Sequence, residues 1–309
     1  MEYGVHLPLI GFNGGHFSLQ GLVQFTETAE RLGFKTLCAN DHFIFPRPWL
    51  DGPTSLAAVI AFSGDMKLAT TVALPVVRGP VSLAKTFGAI DLLSGGRMIV
   101  GVGPGSSARD YASVGLDFEE RWKRLDESVG VLRALWQKGA STFAGNFYST
   151  AGIELEPYPA QRAGPPIWIG SWGSGPGLRR TARLGDGWLA SAYNTTPEVF
   201  GEAWNRLKGY LRDADKDPEE FPNAIATMFY YITEDREKAN QVLEEVVQPA
   251  INRPIEELKQ RLLIGSAEEC SQKLMAYQAA GAQRIYLWPV EDELSQLGSF
   301  WERVIPLVH

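Results

Sequence analysis

Short apolar runs and amphipathic segments alternate along the whole chain. The run RMIVGV at residues 97–102 is apolar without polar alternation, which is typical of a strand buried on both faces. From such runs the sequence predicts eight strands, at residues 3–9, 36–40, 67–74, 97–102, 167–170, 188–192, 223–232 and 284–288.

Most of these strands are followed by a predicted helix. Helices are expected at residues 19–32, 53–62, 81–93, 118–136, 176–184 and 295–305, after the Thr196-Pro197 cap, and after a capping box formed by Ser266 and Glu269. The polar segment 233–260 is expected to form one or two surface helices.

The 118–136 helix shows the clearest apolar face. Asp117 and Glu120 have the spacing of a capping box. Behind them, apolar residues recur at spacings of four and three, which predicts one buried face. They are Phe118, Trp122, Leu125, Val129, Leu132 and Trp136.

This alternation predicts an α/β protein with a parallel sheet. Eight units in a chain of 309 residues favour a (β/α)8 TIM barrel over an open sheet, as a single domain spanning 1–309. Insertions are expected after the fourth strand, at 139–166, and after the seventh. A dinucleotide-binding sheet would need G-x-G-x-x-G after the first strand, and the sequence there is LIGFNGG.

Composition narrows the class of protein. The net charge is −7 without a basic tract, which argues against nucleic-acid binding. No apolar run is long enough to span a membrane, and the N-terminus MEYGVHLPLIG lacks the basic region of a signal peptide. Cys38 and Cys270 form no C-x-x-C, which fits a reducing cytoplasm, and the four histidines give little support for a metal site.

Three stretches end predicted strands with residues suited to chemistry, and the active site of a barrel lies at those ends. Asp41-His42 could handle protons, although a loop histidine bonded to backbone is the plainer interpretation. Glycine-rich residues 171–177 open a helix and could bind an anion, with Arg179, Arg180 or Arg183 adding charge, or could be an ordinary loop before a solvated helix. Gly101, Gly103 and Gly105 mark a turn or a close approach.

Aromatic residues are frequent in the predicted loops. Scattered aromatics are usually core or surface anchors, but at strand ends they could form a pocket that excludes water. The candidates for such a substrate pocket are Phe12, Trp49, Tyr193 and Trp288, with Trp49 the preferred wall.

The run LLSGGR, a strand, G-x-G-x-G and the helix ERWKRLDE together resemble the luciferase-like monooxygenase superfamily. The resemblance extends from Tyr3 to about Pro289. It is greatest to the branch that uses a deazaflavin, coenzyme F420, instead of a flavin, since an Asp-His pair at this strand end is typical of that branch. The resemblance implies a TIM barrel, and a homodimer formed through the apolar helices at 53–62 and 81–93.

The resemblance also implies roles for individual residues. His42 would lie beside the cofactor ring, with Asp41 next to it, and a non-prolyl cis peptide at Thr71–Val72 would form a bulge against the ring. The loop carrying Gly103 would face the cofactor, with Ser106 standing where related dehydrogenases have a glutamate for proton transfer. The cofactor phosphate would bind at Ser171, Gly173, Ser174, Gly175 and Gly177.

The expected function is hydride transfer between F420 and a small organic substrate, with His42 the candidate either for handling the proton or for polarising the cofactor ring. An alcohol, or an enone or imine to be reduced, is preferred over a sugar phosphate, because no Lys/Arg set stands out for a phosphate. Two alternatives remain: an FMN-dependent monooxygenase of the same superfamily, and a non-catalytic barrel that binds cofactor. Serine is a poor acid, and the loss of the loop acid at Ser106 keeps the second alternative open.

Overall fold

The computed structural model describes residues 1–12, 14 and 16–308. The strands among these residues are β1 Glu2–His6, β2 Thr36–Ala39, β3 Lys67–Ala73, β4 Met98–Val102, β5 Ile167–Gly170, β6 Gly187–Ser191, β7 Asn223–Ile232, β8 Leu263–Gly265 and β9 Arg284–Pro289.

Helices follow the strands on the outside of the sheet. The α-helices of the described residues are α1 Leu19–Leu32, α2 Gly52–Val59, α3 Pro75–Arg78, α4 Pro80–Leu93, α5 Ala108–Ser113, α6 Arg121–Trp136, α7 Gly175–Leu184, α8 Pro197–Asp213, α9 Arg236–Gln241, α10 Gln248–Ile251, α11 Ile255–Arg261, α12 Ala267–Ala279 and α13 Glu293–Ser299. Short 3-10 turns follow α2 (Ile60–Phe62) and precede α6 (Phe118–Glu120), and further ones span Ala192–Asn194 and Ile305–Leu307. Single-turn π-helices span Val242–Val247 and Phe300–Val304.

Eight parallel strands close into a barrel. The strands β1 to β7 pair in sequence order, β7 pairs with β9, and β9 pairs with β1. The sheet therefore has no free edge around this ring, and the predicted (β/α)8 barrel is confirmed. No α-helix of the described residues is both long and apolar enough to cross a membrane.

The insertion after the seventh barrel strand contains an unpredicted strand. β8 pairs with Tyr230–Ile232 at the end of β7, outside the closed ring. The strand has only three residues, too few to show a period, and it follows a polar helical segment. The sequence therefore predicted eight strands, whereas the described residues contain nine.

The start of α6 differs from the prediction. The Asp117 carboxylate accepts the N–H of Glu119 at 2.9 Å and caps the short 3-10 turn, so α6 begins only at Arg121. The Glu120 carboxylate accepts from Arg124 Nε at 2.8 Å instead of closing a capping box. The predicted box at Ser266 and Glu269 is confirmed at the start of α12.

Two layers of apolar side chains hold the barrel. The larger layer lies between strands and helices and includes Leu125, Val129, Leu132 and Trp136 of the predicted α6 face. A smaller cluster draws its members from β2, β3, β5, β6, β7 and β9, as expected for a barrel interior filled by side chains. Its members are Cys38, Ala69, Trp168, Leu189, Ala224, Ala226 and Tyr286.

Gly101 in β4 leaves room for a neighbouring strand, which gives a stability prediction. A Cβ at this position would stand 2.0 Å from the carbonyl oxygen of Thr70 and 2.5 Å from Leu189. We expect Gly101→Ala to lower the free energy of unfolding by about 2–3 kcal/mol in urea titrations, because overpacking displaces the adjacent strand. Gly209→Ala in α8, with no atom within 4 Å of the added Cβ, is the matched control. It should be neutral or slightly stabilising, and equal stability of the two variants would contradict this account.

Candidate active site

A cavity of about 410 Å³ opens at the carboxyl ends of the barrel strands. Residues in or after the strands β2 to β7 contribute to it, so it lies where the active site of such a barrel is found. Those with polar or charged side chains are Asn40, Asp41, His42, Thr71, Ser106, Arg121, Trp122, Ser171, Trp172, Ser174, Ser191, Tyr193 and Thr227.

Nine of the predicted site residues line this cavity. They are Asp41, His42, Thr71, Val72, Gly103, Ser106, Ser171, Ser174 and Tyr193. Gly173, Gly175 and Gly177 belong to the same loop as Ser171 but do not line the cavity. Phe12, Trp49 and Trp288 also lie outside its lining, in an aromatic layer behind His42.

The imidazole of His42 contacts a carboxylate that is distant in the chain. Its Nδ1 lies 3.3 Å from Oδ2 of Asp110 in α5, and its ring meets Trp49 edge-on with centroids 4.9 Å apart. The sequence pointed to the neighbouring Asp41 as the partner of His42. That part of the prediction is corrected, because the Asp41 carboxylate is bonded elsewhere.

Asp41 forms an ion pair with Arg78 at the end of α3. The Asp41 carboxylate accepts from Nε and Nη2 of Arg78 at 2.6 Å each and from the N–H of Leu74 at 3.3 Å. Arg78 Nη2 also bonds to Asp51, the N-cap of α2. Burial would lower the pKa of Arg78, but its bonds to Asp41 and the charge of both carboxylates raise it above its ordinary value. One guanidinium therefore holds both ends of the loop that carries His42.

The predicted non-prolyl cis peptide is present at Thr71–Val72. It lies where the register between β3 and β4 shifts, and both residues face the cavity. The Asn40 side-chain oxygen accepts the N–H of Val72 at 2.9 Å and that of Asp41 at 2.8 Å. Asn40 thus joins the bulge in β3 to the start of the His42 loop.

A buried histidine supports the cavity floor. His6 is fully buried, and its ring stacks on Trp288 with centroids 4.3 Å apart and planes at 9°. The N–H of Thr227 donates to its Nε2 at 3.4 Å, and the Thr71 hydroxyl lies 3.3 Å from the same nitrogen. Burial lowers the pKa of His6 to about 3. The imidazole is therefore neutral, and accepting at Nε2 places its proton on Nδ1.

The loop after β4 approaches the cavity closely. A Cβ on Gly103 would stand 2.7 Å from Cγ2 of Val72, so glycine leaves room for the Val72 side chain. Ser106 lines the cavity. The Tyr111 hydroxyl donates to the Pro104 carbonyl at 2.5 Å, which fixes the loop against α5.

Residues 171–177 form the N-terminal turn of α7. The Ser174 hydroxyl accepts the Gly177 N–H at 3.3 Å, and the Ser171 hydroxyl accepts that of Gly173 at 3.4 Å. The N–H groups of Ser174 and Gly175 have no acceptor within the part of the chain that the structure describes. This helix start can therefore bind an anion.

The arginines of α7 differ in their availability. Arg180 and Arg183 both bond to Asp126 of α6. Arg179 Nη1 accompanies the helix start, 3.6 Å from the point where a Cβ of Gly175 would stand, and it bonds only to the Tyr210 hydroxyl at 3.1 Å among the described residues. Arg179 is therefore the arginine best placed to add charge at the anion site.

Sequence reasoning missed four residues that shape the site: Asn40, Asp110, Arg78 and His6. Each lies in a predicted strand or in a short helix, but none forms a motif with its partner, because the partners are separated by 27 to 221 residues in sequence. Only their position at the carboxyl end of the barrel could have drawn attention to them.

Comparison with known proteins gives a family. Residues 8–257 match the sequence profile of luciferase-like monooxygenases. The chain is 27% identical over 323 residues to an F420-dependent glucose-6-phosphate dehydrogenase of Amycolatopsis mediterranei, covering 94% of this chain and 95% of that protein. It is 26% identical to an F420-dependent hydroxymycolic acid dehydrogenase of Mycobacterium tuberculosis, covering 94% of this chain and 85% of that protein.

Solved structures share the fold. An F420-dependent secondary alcohol dehydrogenase in complex with an F420-acetone adduct superposes with a TM-score of 0.86 at 20% identity, covering 100% of this chain and 99% of that one. A monooxygenase from Streptomyces bottropensis superposes with a TM-score of 0.85 at 22% identity, covering 99% of each. The backbone alone therefore does not distinguish the two chemistries.

The buried neutral His6 predicts a pH dependence of stability. Between pH 3 and 6.5 the unfolded chain takes up a proton at His6 that the native state excludes, so stability is full above pH 6.5 and falls as pH decreases. Between pH 7 and 5 the wild type should lose about 2 kcal/mol more than His6→Gln in urea titrations. Exposed His16→Gln is the matched control and should retain the wild-type slope. A slope unchanged by His6→Gln would exclude this role.

Proposed function

The chain belongs to the luciferase-like monooxygenase family, and on that premise we propose that it is an oxidoreductase transferring a hydride between coenzyme F420 and a small organic substrate. The observation that carries the proposal is the meeting of three features at one cavity: His42, the β3 bulge at Thr71–Val72 bordered by Gly103 and Gly170, and the anion-binding turn at 171–177. The relatives that match along 94% of the chain are named as F420-dependent dehydrogenases, which supports the deazaflavin over FMN.

The turn at 171–177 fits the phosphate end of the cofactor. The N–H groups of Ser174 and Gly175, which have no acceptor among the residues that the structure describes, stand at the positive end of the ten-residue helix α7. The hydroxyls of Ser171 and Ser174 line the cavity beside them. The chain has a net charge of −7, so a bound phosphate needs a positive group close to it, and Arg179 would supply that charge.

The ring end of the cofactor fits the surface around the cis peptide. Val72 lies between two glycines, since a Cβ on Gly103 would stand 2.7 Å and one on Gly170 2.9 Å from its side chain. These glycines leave a wall without side chains next to Val72 and Asn40. A flat ring can approach such a wall closely.

His42 is the proposed proton acceptor. In the oxidative direction His42 would accept the hydroxyl proton of an alcohol, and bound F420 would supply the acceptor for the carbinol hydride and its electron pair, so that the product would be a carbonyl compound. The aromatic neighbours Phe45 and Trp49 shield this imidazole from water on the loop side. Such shielding suits hydride transfer.

The cavity favours a neutral substrate. Arg121 is the one lysine or arginine among the lining residues that the structure describes. Its guanidinium lies over the Phe118 ring at 4.0 Å, donates to the Phe118 carbonyl at 2.9 Å and pairs with the Glu119 carboxylate at 3.5 Å. We therefore propose an alcohol or carbonyl compound rather than a sugar phosphate as substrate.

Cofactor titration tests this function. Purified protein is titrated separately with oxidised F420 and with FMN, and binding is followed by fluorescence. We expect saturable F420 binding, weakened about fivefold in Arg179→Met because an exposed charge contributes about 1 kcal/mol. Arg183→Met, which removes an exposed arginine already bonded to Asp126, is the matched control and should bind as the wild type does.

The opposite cofactor preference would overturn the proposal. Tight FMN binding without F420 binding would assign the protein to the monooxygenases. F420 binding without oxidation of simple secondary alcohols such as 2-propanol and cyclohexanol, and without reduction of enones, would favour a cofactor-binding barrel.

We also propose that the protein is a cytoplasmic homodimer. The outer faces of α2 and α4, which pack against each other, expose Ala57, Ala58, Ala89 and Leu92, and the 3-10 turn after α2 adds Ala61. Phe62 and Leu93 extend this face, with 39% and 71% of their surface exposed. An apolar face of this kind is typical of a self-complementary dimer interface.

Charge introduced into this face should dissociate the dimer. At tens of micromolar, light scattering should give twice the 34.0 kDa chain mass for the wild type and the chain mass for Leu93→Glu. Leu19→Glu alters a leucine that is 60% exposed on α1 and should remain dimeric. A monomeric wild type would contradict the proposed interface.

A further inference from the structure

The proposed proton chemistry lacks the acid that related dehydrogenases are expected to carry at position 106. Ser106 lines the cavity but cannot gain or lose a proton near neutral pH. Asp41 also lines the cavity, but its carboxylate is taken up by Arg78 and Leu74. Any carboxylate acting together with His42 must therefore come from elsewhere.

Asp110 stands one helical turn beyond Ser106, in α5. The Ser107 hydroxyl accepts the Asp110 N–H at 3.2 Å and starts this helix, which turns the Asp110 side chain away from solvent, with 1% of the residue exposed. Asp110 does not line the cavity. It lies behind His42 and cannot itself contact a substrate bound there.

Both oxygens of Asp110 hold the loop that carries His42. Oδ1 accepts the N–H of Ile44 at 2.9 Å, and Oδ2 lies 3.3 Å from Nδ1 of His42. Burial raises the pKa of Asp110, but the bonds from His42 and from the backbone of Ile44 and Phe43 outweigh it and keep the pKa below its ordinary value. The carboxylate is therefore ionised at neutral pH.

An ionised carboxylate can only accept hydrogen bonds. Facing Oδ2, Nδ1 of a neutral His42 must carry the proton, and Nε2 is left with the lone pair. Nε2 makes no hydrogen bond to any residue that the structure describes, and the imidazole lines the cavity.

We propose that Asp110 is a positioning residue that orients the His42 imidazole and fixes its proton on Nδ1, so that Nε2 is the proton acceptor at the cavity. Asp110 thereby supplies the carboxylate that position 106 lacks. It acts through His42 and does not contact the substrate directly. This assignment rests on the proposed function. A carboxylate that orients an imidazole and stabilises its charged form is an established arrangement for general-base catalysis.

Two substitutions separate the proposed role from simple support of the loop. Asp110→Asn retains an oxygen for the Ile44 N–H but turns an amide donor toward Nδ1 of His42, which favours the opposite tautomer. Asp110→Ala removes both contacts. If Asp110 only held the loop, the asparagine variant would behave as the wild type does, and the alanine variant alone would be impaired.

The primary measurement is nitrogen-15 NMR of histidine-labelled protein without cofactor, at a pH where His42 is neutral, with its signals assigned by comparison with His42→Gln. We expect the proton on Nδ1 in the wild type and mainly on Nε2 in Asp110→Asn. A wild-type imidazole with its proton on Nε2, or a tautomer unchanged in Asp110→Asn, would overturn the proposal.

Turnover and binding complete the test. With oxidised F420 and the secondary alcohols as probes, Asp110→Asn should lower kcat about 100-fold while the KM and the F420 dissociation constant stay within about threefold. Asp117→Asn, an exposed carboxylate in the same segment, should be unaffected. If Asp110→Asn binds F420 normally and keeps the wild-type kcat, the role of Asp110 is refuted but the proposed function is not. If the wild type fails to bind F420, the proposed function is refuted, and the NMR result then decides whether Asp110 sets the tautomer of His42.

Discussion

Closure of the parallel sheet is the constraint on which the candidate site depends. Because β1 pairs with β9 as well as β2, and β7 with β6 as well as β9, the carboxyl ends of all eight barrel strands meet around one mouth. Groups that are far apart in the chain become neighbours there without any local motif. His6 reaches Thr227 across 221 residues, and His42 reaches Asp110 across 68.

Polar contacts between the loops at the barrel mouth then fix the position of the loop that carries His42. Arg78 bonds to Asp41 and Asp51 and so fixes both ends of the loop that carries His42. Asn40 joins this loop to the cis peptide, and Asp110 holds its middle. Each of these groups is at least partly buried, where an unpaired charge or amide is costly. The loop therefore has few alternative conformations, and the imidazole stands in a defined position.

Periodic and motif-bearing features could be predicted from the sequence, and features that depend on tertiary contacts could not. The barrel followed from eight apolar runs, and the anion-binding turn at 171–177 followed from its glycine-rich pattern at a helix start. The Thr71–Val72 cis peptide followed from the family resemblance. Asp41 was expected beside the His42 imidazole because the two adjoin in sequence, but neighbouring residues in an extended segment point in different directions. Trp288 was expected in the pocket, yet it is fully enclosed under His6, because the alternation of a strand does not reveal which side faces the mouth.

A crystal structure with bound F420 tests the central claim most directly. The account predicts the phosphate on the N–H groups of Ser174 and Gly175, the ring against Thr71–Val72, and Nε2 of His42 facing the substrate side of the ring. A ring bound elsewhere, or a His42 imidazole turned away from it while the cavity stands open, would contradict the account.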